Sequence, residues 1–108
     1  MNRKYGKGWA KLVTVLVNDL RVIAPDIKLM EISEGRLGRL QAYYSDRNLT
    51  AQQMAAADRR VQRAEAVAWE TCVECGEFGN PAYIYEPPLE ARMRVFCEAH
   101  KPLDWNYV

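Results

Sequence analysis

Cys72, Cys75, Cys97 and His100 carry the most specific chemical signal in this sequence. They read C-V-E-C, a spacer of 21 residues, then C-E-A-H. Thiolate and imidazole are zinc ligands, and two pairs at i and i+3 meeting across a hairpin-length spacer can surround one tetrahedral ion. Every cysteine and the only histidine of the chain belong to this set. Three thiolates and one imidazole close the shell, whereas a catalytic zinc keeps a position for water or substrate. A single structural zinc ion is therefore expected. The His-x-Glu segment ahead of Pro-Cys-x-x-Cys that a zinc deaminase uses is absent, since the histidine comes last.

Other chemistry finds few residues to work with. No serine or cysteine nucleophile has a spare histidine as its base, because the sole imidazole is committed to metal. Gly6-x-Gly8 lacks the preceding strand and the third glycine of a dinucleotide loop, and no Walker sequence occurs. The expectation is a protein that is not an enzyme.

A net charge of +1 decides nothing about nucleic acid, but its distribution is uneven. Residues 1–18 carry Arg3, Lys4, Lys7 and Lys11 and no acid, whereas residues 72–108 hold six acids against three bases. The front is thus basic and the surroundings of the metal ligands acidic. Residues 12–17 form too short an apolar run for a signal peptide and contain Thr14, and no stretch approaches the roughly 20 apolar residues that span a bilayer. An odd number of cysteines fits poorly with a disulfide framework, so a reduced, cytoplasmic protein without a membrane role is expected.

The elements that would position these residues can be read from periodicity. Trp9, Leu12, Val13, Leu16, Val17, Leu20 and Ile23 recur at steps of three and four, which predicts an amphipathic helix stopped by Pro25. Residues 27–33 and 39–45 flank a segment with two glycines and predict a β-hairpin. Tyr43 and Tyr44 read as strand packing rather than a base-stacking platform. Thr50 with Gln53 forms a capping box, and Leu49 with Met54 a hydrophobic staple, opening a second helix with the stripe Met54, Ala57, Val61, Ala64 and Ala68. Arg59, Arg60 and Arg63 lie off that stripe and could track phosphates, although Asp58 and Glu65 interleave with them. Residues 81–86 and 92–97 predict a ribbon turned at Pro87 and Pro88, with Gly76 shaping the knuckle at Cys75. The aromatic tail, with Trp105 and Tyr107, is expected to fold back. The predicted fold is α+β: helix, hairpin and helix over residues 1–71, then a zinc ribbon over 72–108, packed as one compact unit.

Taken together, several short motifs are familiar. Gly8-Trp9 opens a helix; Leu37-Gly38-x-Leu40-x-x-Tyr43-Tyr44 follows in a strand; Ala64-Glu65 lies in a helix leading to Thr71-Cys72-x-x-Cys75-Gly76; Cys97-x-x-His100 closes the pattern. This arrangement resembles a family of small uncharacterised proteins of bacteria, prophages and phages. The resemblance spans roughly residues 8–100 and implies a zinc site at Cys72, Cys75, Cys97 and His100 and a mobile-element setting. The family's hairpin usually reads Lys-Glu-Lys-Phe-Gly, where this chain has Glu34-Gly35-Arg36-Leu37-Gly38. No established activity comes with it.

The function expected is docking on a protein or ribonucleoprotein complex of a host, as an accessory or as an inhibitor of a host defence system of the anti-CRISPR kind. Glu74, Glu77 and Glu98 would make the contact, as an acidic surface able to occlude a basic groove. The alternative is a zinc-ribbon transcriptional regulator that binds nucleic acid through Arg59, Arg60 and Arg63. The charge polarity also permits head-to-tail self-association.

Overall fold

Residues 4–87 and 90–108 are described by a computed structural model. Arg3 and Pro88, assigned above to the basic front and to the ribbon turn, lie outside them. The architecture is mixed helix and sheet, with helices α1 (Ala10–Ile23) and α2 (Ala51–Ala68). Strands β1 (Lys28–Glu34) and β2 (Leu40–Ser45) make one antiparallel sheet. Strands β3 (Asn80–Tyr85), β4 (Ala91–Phe96) and β5 (Asn106–Tyr107) make a second, ordered β4-β3-β5.

A single 3₁₀ turn, Lys7–Trp9, leads into α1, and Trp9 at the helix start is fully buried. At the other end Ala24 is extended, with φ −144° and ψ 96°, as the residue before Pro25 must be. Thr50 caps α2 as its sequence predicts: the Gln53 amide donates to Thr50 Oγ1 and the Thr50 amide to Gln53 Oε1. The two helices pack antiparallel. Trp9, at the start of α1, donates its indole N–H to the carbonyl of Thr71 beyond the end of α2, at 2.8 Å. Gln53, near the start of α2, reaches the carbonyl of Ile23. The interface is made by Val13, Leu16 and Leu20 against Ala57, Val61, Ala64 and Ala68, all buried. Alanines on α2 let the helix axes approach closely.

Strand β1 contains an irregularity that its sequence does not announce. Leu29 faces Tyr44 across the hairpin, but Glu31 faces Tyr43, so Met30 is an extra residue. The bulge returns Ile32 to the inner face beside Ala42, and Met30 stays exposed. On β2 Leu40, Ala42 and Tyr44 point inward and Gln41 and Tyr43 outward, as their alternation requires.

The tail does fold back. Strand β5 pairs with β3, and Trp105 is buried edge-on against Phe96, 5.2 Å between ring centres. One core cluster joins the parts: Trp9, Leu16 and Leu20 of the helical side belong with Val73 of the loop after α2 and with Ala82, Val95 and Phe96 of the second sheet. Among the described residues no helix is long and apolar enough to cross a membrane.

Candidate metal centre

Cys72 and Cys75 lie in a tight loop just after α2, and Cys97 and His100 in the turn that follows β4. Backbone hydrogen bonds set both turns. The Cys72 amide donates to the Glu77 carbonyl at 2.8 Å and the Gly76 amide to the Cys72 carbonyl at 2.9 Å. The amides of His100 and Lys101 both donate to the Cys97 carbonyl. Gly76 has φ +82°, a conformation that costs a side chain strain and glycine little. The Val73 amide donates to the Val95 carbonyl, which ties the first turn to β4 and so to the second ligand pair.

The side chains converge. The ligand atoms of Cys72, Cys75, Cys97 and His100 all lie within 4.8 Å of one another. Two sulfurs on one tetrahedral zinc stand about 3.8 Å apart, and Cys75 Sγ and Cys97 Sγ are 3.6 Å apart. His100 turns its Nδ1 toward Cys97 Sγ, at 3.1 Å. This group could hold one metal ion, and its three sulfurs and one ring nitrogen are consistent with zinc.

Surrounding backbone dipoles favour the thiolate form at Cys72. Burial pushes the Cys72 thiol up, but backbone N–H groups of Cys97, Cys75 and Glu74 outweigh it and the net shift is downward. The Glu74 amide lies 3.4 Å from Cys72 Sγ. At Cys75 the backbone N–H of Glu77 pulls the thiol down. Burial and the neighbouring Cys97 and Cys72 sulfurs push it up by more. The two thiols are therefore shifted in opposite directions, and a divalent cation between them would favour the thiolate form of both. Arg94 supplies a fixed positive charge nearby. Its guanidinium is held above its ordinary value by hydrogen bonds to Glu34, with the charges of Glu74 and Cys72 adding to the effect.

The other residues singled out from sequence are not equivalent in space. Glu77 and Glu98 are exposed, whereas Glu74 lies 3.8 Å from the Arg94 guanidinium and is partly neutralised. Arg59 and Arg63 are exposed on α2, but Arg60 turns to α1 and meets Asp19 at 2.6 Å. The three arginines do not make one free cationic face. Nor does the basic front stand apart from the acidic ligand loop: Gly8 donates to Val73 at 2.7 Å, so Lys7 and Lys11 border the same groove as Glu74 and Glu77.

Two features escaped the sequence. A Cβ on Gly8 would sit 2.2 Å from the Cys72 carbonyl oxygen, and one on Gly6 2.3 Å from that of Val73. These glycines, which resemble a fragment of a nucleotide loop, instead let the chain lie flat on the first ligand turn. Arg94 on β4 and Glu34 on β1 form a two-pronged pair at 2.7 and 2.9 Å, joining the hairpin to the strand that leads to Cys97. No local pattern could reveal either. No protein-family model, no curated protein and no solved structure matches the chain.

Proposed function

We propose that this is a non-enzymatic, zinc-stabilised binding protein of phage or mobile-element type. In this reading Cys72, Cys75, Cys97 and His100 hold one structural zinc ion, and β3, β4 and the ligand turns form a zinc ribbon on a helix-hairpin-helix base. The observation that carries it is the convergence of every thiol and the only imidazole in one four-donor group. Four protein donors fill a tetrahedral shell, and no histidine remains to activate a nucleophile. The partner is a protein or ribonucleoprotein complex in the host cytoplasm, with inhibition of a defence system as the specific form. Exposed Glu77 and Glu98 near the ligand turns support a contact with a basic surface.

The test has two arms. Metal analysis of the purified protein should return about one zinc per chain, and Cys75→Ala should lose it together with thermal stability. Charge reversal at Glu77 and Glu98 should abolish co-purification with the host complex while the melting curve stays unchanged. If the reversals leave that binding intact and Arg59→Glu with Arg63→Glu abolishes binding to a DNA or RNA probe, the protein is a nucleic-acid-binding regulator instead.

A further inference from the structure

The first turns of α1, the last turns of α2 and the first ligand loop enclose an open groove of about 860 Å³. Its walls differ in chemistry from any other part of the surface discussed so far. Leu12 and Val15 line it from α1 and Val67 from α2. Val15 is 45% and Val67 48% exposed, although both sit beside the helix stripes that make the core. Around this apolar floor stand Lys7, Lys11 and Arg63, all exposed, with Glu74 and Glu77 confined to the end at the ligand loop.

From this we infer that the groove binds an acidic amphipathic helix of a protein partner. Two antiparallel helices with an apolar seam present the surface onto which a third helix packs in a bundle. The floor residues are spaced for such a helix, Leu12 and Val15 at i and i+3 facing Val67 on α2. The rim decides the charge of the occupant. Lys7 and Lys11 lie where the positive end of the α1 dipole already disfavours a cation, and no acid occupies the first turn of α1 to offset them. Carboxylates flanking the apolar anchors of the incoming helix would relieve that repulsion. Single-stranded nucleic acid would meet the same cations, but among the described residues no aromatic side chain lines the groove to stack a base. This adds a second surface to the binding role proposed above; the two adjoin at Glu77, which lines the end of the groove, whereas Glu98 is not among its lining residues.

A fluorescently labelled, lactam-stapled peptide of about 15 residues, with leucines at i, i+3, i+4 and i+7 and glutamates elsewhere, probes it directly. Zinc-loaded protein should bind this peptide, and a lysine version of it should not. Val15→Glu with Val67→Glu, or Lys11→Glu with Arg63→Glu, should each weaken binding by about tenfold or more. Tyr85→Ser, on the far sheet, should leave it unchanged. Amide shift mapping of the wild-type protein covers the case of a variant that fails to fold: peptide should move the resonances of residues 11–15 and 63–67. The inference is overturned if the acidic peptide does not bind, or shifts other residues. It is also overturned if Val15→Glu with Val67→Glu acts only by dissolving a dimer in sedimentation. Tighter binding of an oligothymidine probe, insensitive to Val15 and Val67, would overturn it in favour of nucleic acid. Reversal at Glu98, which does not line the groove, is scored separately, so failure at the groove leaves the acidic contact standing.

Discussion

At the scale of single residues, the side chains that could hold a metal ion and the glycines that let them converge obey different kinds of information. Cys72, Cys75, Cys97 and His100 are legible because each pair has the local spacing that tetrahedral ligation would require. Gly8 is not, because its constraint comes from the Cys72 carbonyl, far away in the chain. Gly8→Ala places a methyl group against rigid backbone on three sides: the Cys72 oxygen at 2.2 Å and atoms of Gly76 and Val73 at 2.7 Å. The turn must lift off, and we predict a loss of about 2–3 kcal/mol in denaturant unfolding, with weaker zinc retention against a chelator. Gly35→Ala is the control. Its closest neighbour is the flexible end of Gln41, at 2.9 Å, so it should cost less than about 1 kcal/mol. Equal effects would show that Gly8 matters for its backbone freedom alone.

Between elements, two side-chain bridges join pieces that the sequence describes only separately. Arg94 and Glu34 are 21% and 9% exposed, so their two charge-assisted hydrogen bonds are poorly screened by solvent. Removing Arg94 leaves the Glu34 carboxylate nearly buried without its two hydrogen bonds, and removing Glu34 leaves Arg94 only the longer contact to Glu74 at 3.8 Å. Arg94→Met and Glu34→Gln should each destabilise the fold by about 2 kcal/mol, and the double variant should cost less than the two losses added. Chemical unfolding of all four proteins reads the coupling directly.

The second bridge joins α2 to β2. Tyr44 donates its hydroxyl to Asp58, and burial first, then that hydrogen bond and the Asp58 charge, push its phenol up to about 12. The unfolded phenol ionises near 10. This contact therefore contributes in full below about pH 10 and is lost as pH rises through about 12. The melting temperature of the wild type should fall across that window more steeply than that of Tyr44→Phe. Parallel curves would mean that Tyr44 ionises as freely folded as unfolded. Here the limits of sequence reading are physical. The Thr50 capping box was legible because it closes within one turn, and the Met30 bulge was not, because it exists only relative to β2.

For the molecule as a whole, the question is whether the ligand turns are an appendage or part of one cooperative body. The sequence separates residues 1–71 from 72–108 by composition, yet the contacts cross that line repeatedly. Gly8 bonds to Val73, Arg94 on β4 to Glu34 on β1, and Met93 on β4 donates to Arg36 in the hairpin turn at 2.9 Å. Buried residues from both parts make a single cluster. Metal bound at Cys72, Cys75, Cys97 and His100 would then stabilise the helices as well as the second sheet, since any ion that binds only the folded state shifts the entire equilibrium. At free zinc about a thousandfold above its dissociation constant, that shift is about 4 kcal/mol. We therefore predict that a strong chelator lowers the melting temperature without splitting the transition. Helix ellipticity and tryptophan fluorescence, the latter including Trp105 packed on Phe96 of the second sheet, should fall together. Amide exchange should quicken in α1 and α2 as much as in β3 and β4. Loss of protection limited to residues 72–108, with α1 and α2 still slow to exchange, would make the metal centre a local staple on an independently stable core.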